Sequence, residues 1–334
     1  MSNPILSPSP APDASNSNLQ HKIKHSSLGI ALAFAAIYLI WGSTYLAIAI
    51  GIESFPPLVL PASRHLLAGL LLYPLLRWKT GIRPTPAQWR TALVTGLLLL
   101  LFGNGCVCLA EKTVPTGVAA LLVALVSFWM VLLDWLRPGG HRPVPRVFVS
   151  LVLGFGGLAL LVGPAHLGGS ERVNPIGAAI LVVGSFAWAC GSVYSKHRDL
   201  PSSPMMGVAM QSLVGGSALW IASFLSGEVH GFHFSQVSVH SWLALVYLIS
   251  FGSAVGFTAY VFLLKKISAT RVGTYAFVNP VVALFLGWLG AGESISIRTG
   301  LAAAVILTAV VVVITAPHKT SVEAVEALAH PGEA

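Results

Sequence analysis

The pentapeptide WGSTY at Trp41–Tyr45 lies inside a long apolar stretch, and a related pentapeptide, CGSVY, follows 149 residues later at Cys190–Tyr194. Other residues recur at a similar distance. Separations of 153 residues are found for Gly103 and Gly256, Lys112 and Lys265, and Pro164 and Pro317. Chance recurrence of small residues is one explanation, but recurrence along most of a chain is typical of duplication. The sequence therefore predicts two copies of one structural unit.

The composition predicts a protein that lies in a lipid bilayer. Charged residues make up 9% and hydrophobic residues 55% of the 334 residues, against roughly 25% and 45–50% in soluble domains. Apolar runs of about 20 residues can cross the hydrocarbon core, and helices bond their own backbone groups there. We therefore predict an all-α polytopic membrane protein with ten transmembrane helices. The expected spans are Gly29–Ile50, Leu58–Leu76, Thr91–Ala110, Gly117–Leu136, Val147–Gly163, Ile176–Ser195, Met205–Ser226, Trp242–Leu264, Val272–Gly290 and Thr299–Ala316.

The odd number of spans in each copy determines how the two copies are related. Residues 29–163 and 176–316 would each hold five spans, so the second copy enters the membrane from the opposite face. This predicts two inverted five-helix repeats, an arrangement in which one half can rock against the other around a central site. Residues 1–28, rich in Ser, Pro and Asn, are expected to form a disordered cytoplasmic tail, and residues 317–334 a second cytoplasmic tail.

The lysines and arginines predict the orientation of the spans. Of the 19 such residues, fifteen fall on the side of both termini and Arg64 lies within a span, whereas Lys112, Arg172 and Arg298 fall on the other side. Cytoplasmic loops carry the excess of Lys and Arg, so we expect both termini in the cytoplasm. The net charge of +8 predicts no nucleic-acid partner, because the basic residues are scattered singly between apolar runs.

Two stretches of the sequence resemble a known family. IWGSTYLAIAIGIESFPPLVLPASRHLLAG, at Ile40–Gly69, and TYAFVNPVVALFLGWLGAGESI, at Thr274–Ile295, are similar to the EamA-type drug/metabolite transporters, most closely to their YedA-like bacterial branch. The likeness covers about residues 29–316. It implies a ten-helix carrier of the inner membrane that exports small metabolites or toxic compounds, with a central cavity between its two halves. Ser127 departs from the family pattern, which commonly has proline there.

Polar and aromatic residues recur at helical spacing within the spans. Spacings of three and four place such residues on one helix face, and polar groups that faced lipid would lack partners. They either pack helices together or line a cavity that binds a solute. With the family resemblance, we favour the cavity. The expected substrate-binding residues are Tyr38, Trp41, Ser43, Tyr45, Asn104, Trp188, Ser192, Ser253, Tyr275 and Asn279.

Four further residues are candidates for gating or coupling: Arg64, His65, Pro280 and Glu293. A charge as deep as Arg64 either serves a transport pathway or snorkels to the interface. The adjacent His65 is the one titratable residue deep in a predicted span whose unperturbed pKa lies near neutrality. Pro280 breaks the ninth helix, either as a hinge or as a tolerated kink. No carboxylate lies near the middle of a span, which predicts exchange or uniport; if transport proves to be proton-coupled, His65 or Glu293 is the expected site.

These observations predict a secondary transporter that moves small metabolites, amino acids or drug-like compounds by alternating access. A P-loop and an intramembrane catalytic set are both absent from the sequence, so neither an ATP-driven pump nor an enzyme is expected. A membrane channel or an intramembrane enzyme is the alternative. We expect no cofactor and no metal site. The expected partners are a small-molecule substrate and membrane lipids, and nothing in the sequence indicates an oligomeric state.

Overall fold

The computed structural model describes residues 14–138, 145–162, 173–273 and 275–314. Within these residues the chain is helical and has no β-strand. The main helices are α1 (Ala14–Ile52), α2 (Val59–Thr80), α3 (Pro86–Ala110), α4 (Thr116–Leu136), α5 (Pro145–Val162), α6 (Pro175–Lys196), α7 (Pro204–Leu225), α8 (Val239–Lys266), α9 (Tyr275–Gly290) and α10 (Ile297–Ile314). A helix of four residues, Ala269–Val272, connects α8 with α9.

Seven helices of the described chain, α1–α4 and α6–α8, are long and apolar enough to cross a membrane. Helices α9 and α10 contain the shorter apolar stretches Val278–Gly290 and Ile297–Ala309. Large apolar side chains, among them Leu71 and Phe285, are exposed on the outside of the molecule. Lipid would cover such side chains at no cost in hydrophobic energy. The protein is therefore a multi-pass membrane protein.

Capping residues and prolines determine where several helices begin. Thr85 Oγ1 accepts a hydrogen bond from the Gln88 N–H at 3.2 Å, and Gln88 Oε1 accepts one from the Thr85 N–H at 3.1 Å. This reciprocal pair caps α3, and it satisfies two backbone donors that have no partner inside the helix. Asn174 and Ser203 cap α6 and α7 with their side chains, and a proline follows each of them. Proline suits the first helical position because its missing N–H is not needed there.

Helix α1 begins well before the position that the sequence predicts. The sequence predicts a disordered tail over residues 1–28, and the structure includes residues 14–28 in helix α1. The four prolines of the tail end at Pro12, and neither proline nor glycine interrupts the chain from Ala14 to Leu28. Without those residues the helix extends upstream of the apolar span. Residues 1–13 and 317–334, which include the rest of the predicted tails, lie outside the described residues.

The helices pack in pairs that join the two halves of the chain. Helix α2 lies along α7, and α5 lies along α10. Helix α1 packs against α8 and α9, while α6 packs against α3 and α4. At the contact between α2 and α7, a Cβ atom on Gly69 would lie 2.7 Å from the Leu213 nitrogen. Glycine is therefore what allows these two backbones to approach.

Four helices depart from regular α-helix within their length. Residues Gly96–Asn104 of α3 and Leu248–Phe257 of α8 form π-helix, in which each turn is wider than in an α-helix. Helix α4 is interrupted at Ala124 and Leu125, and α9 contains Pro280. These departures free backbone carbonyls and create irregular surfaces inside a bundle. All four helices contribute to the cavity described next.

Candidate functional site

A partly open cavity lies among seven helices of the bundle. Seven of the residues singled out in the sequence line it: Trp41, Tyr45, Arg64, His65, Asn104, Trp188 and Tyr275. Helices α1, α2, α3 and α4 provide one part of the wall, and α6, α8 and α9 provide the other. The structure thus brings together residues from distant parts of the chain.

Aromatic rings form one side of the cavity. The Trp41 ring lies nearly perpendicular to the rings of Trp188 and Tyr275, at centroid distances of 5.5 and 5.4 Å and interplanar angles of 87° and 89°. Tyr260 lies 4.9 Å from Trp41 and 5.7 Å from Trp188, also between ring centroids. Each such pair contributes about 0.5–1.5 kcal/mol beyond its buried area. These four rings, called the aromatic cluster below, are held in fixed mutual orientations.

A directional chain of hydrogen bonds fixes the aromatic cluster. Trp188 Nε1 donates to Tyr260 Oη at 3.1 Å, and Ser192 Oγ donates to the Trp188 carbonyl at 2.6 Å. The Tyr260 and Ser192 hydroxyl oxygens are 2.6 Å apart. Because the Ser192 proton is already used, the Tyr260 hydroxyl donates to Ser192. Ser192 is fully buried and does not line the cavity, so it supports the ring of Tyr260 from behind.

Glycines of the π-helical segment in α8 make room for two cavity residues. A Cβ atom on Gly252 would lie 2.6 Å from the Arg64 Nη2 atom, and one on Gly256 would lie 2.6 Å from Trp41 Nε1. Trp41 Nε1 donates to the Gly252 carbonyl at 3.2 Å. A π-helical segment leaves carbonyls poorly paired within the helix, and the indole satisfies one of them.

Polar side chains also line the cavity. Arg64 is 4% exposed, and its Nε donates to Ser253 Oγ at 2.9 Å. His65 Nε2 donates to Asn104 Oδ1 at 3.2 Å, and the buried His65 Nδ1 has no hydrogen-bond partner among the residues that the structure describes. Arg64 therefore does not reach an exterior interface, as snorkelling would require. It faces the cavity.

The remaining residues singled out in the sequence lie outside the cavity. Ser43 Oγ donates to the Ile40 carbonyl at 2.8 Å and is 2.6 Å from Tyr247 Oη. Tyr38 packs on Phe34 at a centroid distance of 5.5 Å. These contacts lie along α1 and between α1 and α8, so they hold helices together.

Residues of α9 and of the segment after it also connect helices. With its amide nitrogen turned towards α1, Asn279 donates to the Ile37 and Tyr38 carbonyls at 3.2 and 3.1 Å. Pro280 follows it and is buried. Glu293 accepts hydrogen bonds from the backbone N–H groups of Thr116 at 2.6 Å and Gly117 at 3.3 Å. It therefore caps α4.

Sequence reasoning missed Tyr260 and Glu111. Tyr260 is fully buried at the centre of the aromatic cluster. Glu111 follows the last residue of α3, and neither of its carboxyl oxygens has a hydrogen-bond partner among the described residues. Burial, together with the nearby Glu293 carboxylate, raises the pKa of Glu111 well above 4.5, because both effects disfavour the charged form. Its position beside a loop gave no signal of this burial.

Known proteins resemble this chain along most of its length. The EamA-like transporter family matches residues 27–163 and again residues 175–315. A protein of Escherichia coli (strain K12) named "Uncharacterized inner membrane transporter YedA" is 39% identical over 282 residues, which are 84% of this chain and 89% of the relative. A probable amino-acid metabolite efflux pump of the same strain is 25% identical over 294 residues, covering 81% of this chain and 90% of the relative.

One solved crystal structure has the same fold. It matches 85% of this chain and 96% of its own chain with a TM-score of 0.59, at 19% sequence identity. The two family matches and the identity with YedA confirm the resemblance first seen in the stretches around Trp41 and Asn279. The chain belongs to the EamA-like transporter family.

Proposed function

We propose that this protein is a secondary transporter of the bacterial inner membrane that exports small organic metabolites by alternating access. One observation carries the proposal: the walls of the cavity come from both segments that match the family, α1–α4 from the first and α6, α8 and α9 from the second. A site between two halves can open to either side of the membrane as the halves rock.

The chemistry of the cavity supports a small solute with an apolar or aromatic body. Trp41, Trp188 and Tyr275 offer ring edges and faces, and Asn104 and Arg64 add hydrogen-bonding groups. Binding sites for small molecules commonly combine a mostly apolar wall with a few polar groups that fix orientation. Amino acids and related small metabolites fit that description.

Two inverted five-helix repeats are part of the proposal, with α5, α9 and α10 as membrane spans alongside the seven longer helices. The packing of α2 along α7 and of α5 along α10 supports this, because each pair would be equivalent helices on a two-fold axis. The contacts of α1 with α8 and α9 would correspond to those of α6 with α3 and α4. The π-helical segments, Gly96–Asn104 and Leu248–Phe257, also fall at the separation of the repeated residues.

Both termini are proposed to be cytoplasmic, as the distribution of lysine and arginine indicates. The test uses single cysteines placed at each terminus after Cys106, Cys108 and Cys190 have been replaced by serine. A maleimide that cannot cross the membrane should label neither terminus in intact cells and both in inverted vesicles. Labelling of one terminus from each side would contradict an even number of spans.

The transport function is tested by ligand screening and counterflow. Purified protein is screened against a metabolite library for thermal stabilisation; a ligand at about 100 times its dissociation constant should add roughly 2.7 kcal/mol. The best ligand should then show saturable counterflow in proteoliposomes. Trp41→Ala and Tyr275→Ala should weaken the stabilisation, whereas Trp78→Ala, at a side chain 81% exposed, should not. Non-saturable conductance would instead indicate a channel, and covalent turnover of the ligand would indicate an enzyme. Unchanged thermal stabilisation in both Trp41→Ala and Tyr275→Ala would indicate that the ligand binds at a different site.

A further inference from the structure

Arg64 is a positive charge without a counterion in the described structure. Its Nε–H donates to Ser253 Oγ at 2.9 Å, and this is the one hydrogen bond that its guanidinium makes with described residues. The ion pair found in the described parts of the chain joins Arg137 and Asp134 instead. An arginine guanidinium has five N–H donors and stays charged in proteins. Four donors of Arg64 therefore have no hydrogen-bond partner among the described residues.

The groups around Arg64 do not offer it a carboxylate. Glu228 accepts a hydrogen bond from the Leu58 N–H at 2.8 Å, and Glu293 caps α4. Glu111 lies at the end of α3, beyond ion-pair distance from Arg64, and its raised pKa favours the neutral acid. A buried charge is costly unless an opposite charge or hydrogen-bonding groups compensate it. Among the described residues, Arg64 has only the Ser253 hydroxyl for this purpose.

The position of Arg64 directs the charge into the cavity. The guanidinium lies against Gly252, where any side chain would collide with it, and Ser253 holds its Nε. Three rings of the aromatic cluster, Trp41, Trp188 and Tyr275, line the same cavity. One fixed cation thus lies in the same pocket as a set of tryptophan and tyrosine rings. Such a pair of features complements a molecule that has one negative charge and a flat apolar body.

We propose that Arg64 binds the carboxylate of the substrate, so that the carrier selects small monocarboxylates with an aromatic or similarly flat apolar part. This inference rests on the proposed transport function and specifies its substrate class. A guanidinium presents two parallel N–H groups to a carboxylate, which fixes orientation as well as charge. A single guanidinium among neutral groups suits one negative charge better than a phosphate dianion.

The experiment compares indole-3-propionate with indole-3-propionamide, which share a ring system and differ in charge. Calorimetric titration of the purified full-length protein should show the acid binding at least about tenfold more tightly than the amide. Arg64→Gln should weaken binding of the acid about 30-fold, which corresponds to about 2 kcal/mol, and leave the amide within about twofold. Arg64→Lys should lie between, because it keeps the charge and loses the two parallel donors. Arg90→Gln, at an exposed arginine, is the matched control and should change neither.

Several results would overturn the inference. The inference fails if the unsubstituted protein binds the acid and the amide equally well, or does not bind the acid at all. It also fails if the Arg64→Gln protein still binds the acid more tightly than the amide. If Arg64→Gln does not fold, the comparison of acid with amide in the unsubstituted protein and in Arg64→Lys decides the matter. Saturable counterflow of an uncharged library ligand, with no discrimination between acid and amide, would leave the transport function standing and remove only the substrate class.

Discussion

Replacing Glu293 by alanine should weaken the junction between the end of α9 and the start of α4. The Glu293 carboxylate accepts two backbone hydrogen bonds, from Thr116 at 2.6 Å and from Gly117 at 3.3 Å. Pro115, which precedes this helix, offers no side-chain cap. In Glu293→Ala, therefore, both N–H groups lose their acceptor and the positive end of α4 loses a nearby negative charge.

The size of the effect follows from the two distances. A hydrogen bond to a charged group contributes about 1.5–3 kcal/mol, and the bond to Gly117 is long enough to contribute little. Glu293 is only partly buried, so the lower part of that range applies and we expect a loss of about 2 kcal/mol. Glu293→Gln keeps an oxygen acceptor without the charge and should lose about 1 kcal/mol.

The measurement is an equilibrium unfolding titration in mixed detergent micelles, followed by tryptophan fluorescence. A loss of about 2 kcal/mol lowers the ratio of folded to unfolded protein about 30-fold. Glu53→Ala, at an exposed glutamate, is the control and should stay within about 0.5 kcal/mol. Unchanged stability of Glu293→Ala, together with the disappearance of a pH response in counterflow, would refute the capping role and assign Glu293 to coupling.

Three further predictions concern buried groups. Because the pKa of Glu111 is raised in the folded protein, the folded state binds more protons than the unfolded state. The free energy of unfolding should therefore fall as the pH rises above about 4.5, and Glu111→Gln should abolish that fall. Tyr260→Phe leaves the Trp188 N–H without its acceptor and should lower the unfolding free energy by about 1–3 kcal/mol in the same titration. Gly256→Ala places a methyl group against the Trp41 indole and should lower the unfolding free energy by about 1–3 kcal/mol, with a shift in tryptophan emission.

Each of these three variants has a matched control. Glu53→Gln should leave the pH dependence of stability as it is, and Tyr73→Phe removes a hydroxyl that has no hydrogen bond to the described part of the chain. Gly300→Ala adds a methyl group where nothing lies within 4 Å, so it should be neutral or slightly stabilising. An equal response in variant and control would contradict the corresponding contact.

The helices were largely predictable because a lipid bilayer requires long apolar runs in the helices that cross it. Uninterrupted apolar runs between prolines and turn residues place α2 and α7 within a few residues of their observed ends. The start of α1 could not be found in this way, because residues 14–28 are polar. They can form a helix because they contain neither proline nor glycine. Hydropathy does not report on such a helix.

The cavity was predictable only where helical spacing indicates a shared face. Trp41 and Trp188 were found because they belong to the two related pentapeptide regions. In the sequence, Tyr260 is one aromatic residue near the C-terminal end of a predicted span. Its contact with Trp41 depends on the wide turns of α8, for which local propensities give no signal. The sequence made Glu293 a coupling candidate, which stays a prediction. Its contact with the start of α4 could not be predicted, because it joins residues 177 positions apart.

The π-helical segment of α8 fixes how many residues this part of the helix must contain. Each residue of a helix turns the following part by about 100°. Deleting one residue from Leu248–Phe257 would restore ordinary turns, and the stretch Thr258–Lys266 would then rotate by that angle. Tyr260 would leave Trp188, and Lys265 would leave the Pro201 carbonyl. Related chains that keep this aromatic contact should accordingly show no gaps in this stretch when their sequences are aligned.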